Sequence, residues 1–71
     1  MPKDIADPLN AELLAGMARK RIRQVELAAE LGMSQGSLSD RLNSRTQWRL
    51  DELRQAAEYV GIPMTDLVGA A

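Results

Sequence analysis

Apolar residues along the chain recur three and four positions apart, and no segment alternates with period two. Leu9, Leu13 and Met17, with the neighbouring Leu14, form one stripe. Leu27, Ala28 and Leu31 form a second, Leu38 and Leu42 a third, and Leu50, Leu53, Ala56, Ala57 and Val60 a fourth. Met64, Leu67 and Val68 suggest a brief fifth. This is the helical period, so the pattern predicts an all-α bundle of about five short helices and no strand. The punctuation agrees. Asp7-Pro8 suits the N-cap and first position of the first helix. Arg19, Lys20 and Arg21 complement its C-terminal dipole. Ile22 then plugs the core before a second helix at about 24–31, and a third runs at about 35–43. Gly61 fits the stop of the fourth, and Ile62-Pro63 is a short linker.

The segment from Gln24 to Asn43 carries the most information. Its two helical patterns are divided by one glycine, Gly32. Glycine enters the left-handed region that ends a helix without a Cβ penalty. Ser34 can cap the helix that follows. Ala28 is small where a larger side chain would hold the two helices apart. A helix-turn-helix of this kind can project its second helix into the DNA major groove.

Composition narrows the field. Seventy-one residues make one small domain, here taken as residues 1–71 with a flexible N-terminus at about 1–6. The chain has no cysteine and no histidine, so the commonest metal and nucleophilic constellations are excluded. No catalytic group, metal site or cofactor is expected, and the chain reads as a non-enzyme. No apolar run approaches the roughly 20 residues that span a bilayer, and the N-terminus lacks a signal-peptide stretch. A cytoplasmic location follows by default. The net charge is −1, which argues against a nonspecific polycation. The distribution says more. Residues 19–54 carry eight basic and five acidic side chains, a net +3, while residues 1–18 and 55–71 each carry a net −2. The positive stretch surrounds the helix-turn-helix.

Gln24, Leu27-Ala28, Leu31-Gly32, Ser34-Gln35, Leu38 and Asn43 together resemble the lambda-repressor/Cro-type helix-turn-helix family. The resemblance covers about residues 9–68. It implies sequence-specific binding of duplex DNA by a phage or bacterial transcriptional repressor at an operator. It also implies a homodimer on a palindromic site, in a bacterial or phage-infected cell, with no membrane or small-molecule partner. The tail Leu67-Val68-Gly69-Ala70-Ala71 is a candidate dimer contact, or the end of a longer chain's domain.

With Leu38 and Leu42 placed inward, Gly36, Ser39, Asp40 and Asn43 point outward at about 100° per residue, with Gln35 and Ser37 at the edges. The resemblance makes Gln35, Gly36, Ser39 and Asp40, with Ser37, the base readers. Glutamine can pair with adenine, and aspartate can accept from cytosine. Asp40 is equally suited to pair with an arginine such as Arg41. Gly36 leaves room for close backbone approach or a thymine methyl. Gln24 and Asn43 match the family's phosphate contacts, and Arg45 and Thr46 are the phosphate candidates of the loop 44–48. Trp48 is expected as a partly buried loop anchor.

The chain departs from the family's pattern at several positions. Arg23 and Arg49 stand where a serine or threonine often caps a helix. An arginine there opposes the dipole by up to about 1 kcal/mol and forgoes a cap worth about 1 kcal/mol. Both arginines are therefore read as phosphate ligands that trade stability for attraction. Arg41 replaces an apolar residue, and it is expected to snorkel over the core edge towards DNA or Asp40. Ser44 replaces a glycine. Two other functions fit the same residues. One is an antitoxin-like regulator with a protein partner, which would need a partner-binding tail. The other is a purely protein-interacting helical domain.

Overall fold

A computed structural model gives the structure, which describes the backbone of residues 8–70 and the side chains of residues 8–67. The expected Asp7 cap, the N-terminal segment 1–6 and the tail side chains from Val68 onward lie outside the described residues. Helices α1 (Pro8–Lys20), α2 (Gln24–Leu31), α3 (Gln35–Leu42), α4 (Leu50–Val60) and α5 (Met64–Ala70) follow in order. There is no strand among the described residues, and none of these helices is long and apolar enough to cross a membrane. The all-α reading holds, with each helix near its expected bounds.

α1 lies against α3, α4 and α5, while α2 packs between α3 and α4. Leu13, Leu27, Leu38, Val60 and Leu67 are fully buried, one or more from every helix. Two expectations shift. Leu50, expected on the apolar face of α4, is 63% exposed at the first position of that helix, before its inward stripe begins at Leu53. Leu14 is 42% exposed, and the polar Asn10 is buried in its place. On α1 the inward stripe is Asn10, Leu13, Gly16 and Met17, which Leu14 misses by one helical step of about 100°. Gly16 marks a close approach that the apolar pattern does not announce. A Cβ there would lie 2.7 Å from both Ile62 Cδ1 and Val60 Cγ1. That glycine lets α1 press against the α4–α5 corner.

The helix ends follow local chemistry in most places. Gly32 has φ 71° and closes α2, with Met33 N donating to Ala28 O at 3.0 Å. Ser34 Oγ accepts from Ser37 N at 3.1 Å and caps α3. Gly61 has φ 85°, and Ile62 N donates to Ala57 O at 2.9 Å. α1 ends with Arg21 at φ 57°, a left-handed residue with a Cβ. Its cost is offset by Ile22 N donating to Met17 O at 2.9 Å, which seats Ile22 against the core.

Candidate nucleic-acid interface

α3 is eight residues long and amphipathic. Leu38 and Leu42 are 0% and 4% exposed, so the helix is pinned by its apolar side. Gln35 and Gly36 are exposed at its N-terminal end, and Ser37, Ser39 and Asp40 are half-buried along the polar side. A Cβ on Gly36 would meet only Ser34 Oγ, at 3.9 Å. Nothing inside the protein requires a glycine at this position.

The sequence-derived residues divide by what they hold. Arg23 and Arg49 are the N-cap residues of α2 and α4, both extended and both exposed. Arginine has no acceptor, so neither side chain can cap. At Arg49 the reciprocal half of a capping box exists, because Glu52 Oε1 accepts from Arg49 N at 3.1 Å. Arg49 Nε also lies 3.5 Å from Asp51 Oδ1 on the surface. The N-terminus of α2, at half-buried Gln24, has no side-chain cap for its first N–H groups.

Arg41 differs from expectation in its partner. Its Nε donates to Glu52 Oε1 at 2.9 Å and its Nη2 to Glu52 Oε2 at 3.2 Å, a two-pronged fork. Its Nη1 donates to Ser37 O at 3.0 Å. The two side chains are only 16% and 18% exposed. The guanidinium therefore ties α3 to the start of α4 instead of reaching Asp40. The hydrogen bond from Arg41 holds the Glu52 carboxyl below its ordinary range against desolvation, and the Arg41 pKa is raised in return. Asp40 pairs with Arg45 at 3.4 Å, with the arginine exposed and the aspartate about half-exposed. Such a pair contributes at most about 1 kcal/mol.

The loop after α3 bends back at once. Ser44 takes φ 62°, the left-handed conformation that glycine would adopt more cheaply. Arg45 N and Thr46 N both donate to Asp40 O, at 2.8 and 3.3 Å. This wraps the exposed Arg45 and Thr46 against the C-terminal end of α3. Asn43 folds its amide onto Ser39, donating to Ser39 O at 2.8 Å and Ser39 Oγ at 3.2 Å.

Asn10 is the residue that sequence reasoning missed. Its Nδ2 donates to Arg41 O at 2.7 Å and to Ser44 Oγ at 3.2 Å. Its Oδ1 accepts from Trp48 Nε1 at 2.8 Å. One buried amide on α1 thus holds the end of α3, the strained Ser44 and the loop tryptophan. The signal was present: an asparagine three positions before Leu13 lies on the inward stripe, and a buried indole N–H needs an acceptor. Trp48 is the partly buried anchor expected of it.

On the far side, α2 is tied to α4. Tyr59 Oη donates to Glu26 Oε2 at 2.5 Å, which raises the phenol pKa, and Gln55 Nε2 donates to Glu30 O at 3.1 Å.

No curated protein and no solved structure gives a match to the chain. A family model described as helix-turn-helix matches residues 13–67, from the middle of α1 into α5. With five helices and the α2–Gly32–α3 corner in place, the chain belongs to the lambda-repressor/Cro-type helix-turn-helix family of DNA-binding transcription regulators.

Proposed function

We propose that the chain binds duplex DNA sequence-specifically and represses transcription by occupying an operator in a phage or bacterial genome. One observation carries this reading. α3 buries its leucines and turns a run of small, uncharged or acceptor side chains outward, within the net-positive stretch of the chain. Gly36 adds to it, being open to solvent with no internal reason to lack a side chain. Gln35, Gly36, Ser37, Ser39 and Asp40 meet base edges in the major groove. Arg23, Gln24, Arg45, Thr46 and Arg49 position the phosphate backbone. Arg41 is assigned to holding α3, because its donors are on Glu52 and Ser37 O. A homodimer on a palindromic site, with half-sites about one helical turn apart, completes the reading.

Binding-site selection from random duplexes, followed by footprinting, tests this. The expected result is one enriched site with two-fold symmetry and an affinity that falls steeply with salt. Enrichment of no sequence, or binding indifferent to salt, contradicts it.

A further inference from the structure

Ser39 lies in the middle of the polar side of α3. A lone serine hydroxyl reads bases poorly, because it rotates to donate or to accept. Here it is constrained. Asn43, one turn later, donates to both Ser39 O and Ser39 Oγ. The orientation of that amide is forced: a main-chain carbonyl only accepts, so Nδ2 must face Ser39 O and Oδ1 must face away. The Ser39 oxygen therefore spends one of its two lone pairs on Asn43, and its own hydrogen turns away; accepting that bond polarises the O–H into a better donor and weakens the remaining lone pair. Among the described residues that hydrogen has no other acceptor.

We propose that Asn43 is a positioning residue for specificity: it biases Ser39 towards donating its hydrogen bond, so that α3 favours a base edge offering an acceptor. Those edges are O4 of thymine, O6 or N7 of guanine, and N7 of adenine; the N4 amine of cytosine is disfavoured. Asp40 is the next residue, and its carboxylate can only accept, with Oδ1 engaged by the exposed Arg45 alone. Adjacent positions of the helix thus carry opposite polarity, a donor at Ser39 and an acceptor at Asp40. The inference rests on the DNA-binding reading above and adds a polarity to one position of its site.

The test is site selection with the full chain, comparing the wild type with Asn43→Ala, Asn43→Asp and Ser39→Ala. In the wild type, cytosine is disfavoured at one position by about 3- to 10-fold, the worth of a single hydrogen bond. Asn43→Ala frees the hydroxyl and removes that preference, without changing the salt slope. Asn43→Asp accepts from the Ser39 hydroxyl, turns the oxygen lone pairs outward and moves the preference towards cytosine. Ser39→Ala also removes the preference, and adding Asn43→Ala then changes nothing more. Thermal melting confirms that each variant is folded, and Ser39→Ala carries the test alone if the Asn43 variants are not. The inference is overturned if base preferences are intact in Asn43→Ala, with or without a shallower salt slope, or intact in Ser39→Ala. A wild type that selects no site contradicts the DNA reading itself, and that arm is read before any variant.

Discussion

The two joints that flank α3 are built from different chemistry. The joint before it, Gly32-Met33-Ser34, is made by neighbours in the chain: a left-handed glycine, a main-chain bond to Ala28 O and a serine cap. The joint after it spans 43–49 and has a left-handed serine, no side-chain cap on α4 and a tryptophan to bury. It is held from a distance, by Asn10 on α1 and by Glu52 on α4. The difference teaches where rigidity comes from. The first joint would keep its geometry in any helix pair that packs on Ala28. The second exists only while α1 and α4 are docked. Its loop carries the proposed phosphate contacts, so affinity for DNA is tied to the integrity of the whole bundle.

The largest expected effect breaks the second joint alone. Asn10→Ala strands the Trp48 indole N–H and leaves the Arg41 carbonyl with Ser44 N as its remaining donor, and costs about 1–3 kcal/mol in chemical unfolding. The Trp48 fluorescence of the folded protein shifts to the red as the ring is released. A loss below 0.5 kcal/mol, within the range of ordinary surface substitutions, would show that local geometry suffices there too.

Next is a paired substitution at the left-handed residue of each joint. Gly32→Ala forces a Cβ into φ 71° and costs about 1 kcal/mol. Ser44→Gly relieves the same strain but gives up the bond from Asn10, so its net effect stays within about 0.5 kcal/mol. A clear gain from Ser44→Gly would mean that Asn10 holds the loop less firmly than its geometry implies.

The two arginine caps sharpen the contrast. Arg23→Thr supplies a cap that α2 lacks and removes an unfavourable charge, for a gain of about 1 kcal/mol by thermal melting. DNA affinity at low salt falls in the same variant. Arg49→Thr gains less, because it gives up the surface pair of Arg49 with Asp51. Equal gains at both caps would remove the distinction, and unchanged affinity for Arg23→Thr would remove its phosphate role.

The smallest effect is on acidification. The Glu52 carboxyl is held below its ordinary value of 4.5 by Arg41, so the stability it contributes is full above that value. It is lost as pH falls through the lower folded pKa. The fork, at the protein's edge and partly open to solvent, contributes about 1 kcal/mol. Wild type therefore loses about that much more than Glu52→Gln when titrated downward from pH 4.5, and parallel curves would refute the coupling.

These joints also explain what was legible from the residues. The helices, the Gly32 turn and the burial of Leu38 and Leu42 follow from spacing and local caps, and the structure agrees with them. Adjacency in sequence makes Arg41 and Asp40 candidate partners. Their actual partners are Glu52 and Arg45, since Asp40 and Arg41 project about 100° apart on α3 and a fork needs a carboxylate facing it across the helix interface. Asn10 was passed over because its partners are 31 to 38 residues away, beyond the reach of periodicity. Gly16 was silent for the same reason: its neighbours are at Val60 and Ile62.

In the proposed function labour is divided: α3 would read bases, and the loop anchored behind it would grip phosphate. Site selection and salt titration of Gln35→Ala and Arg45→Ala, side by side, test it most directly. Gln35→Ala should change the preferred base at one position and leave the salt slope alone. Arg45→Ala should leave the selected site unchanged and lower the slope of log affinity against log salt by about one. The reverse assignment, or the same selected site and the same slope in both variants, would contradict the account.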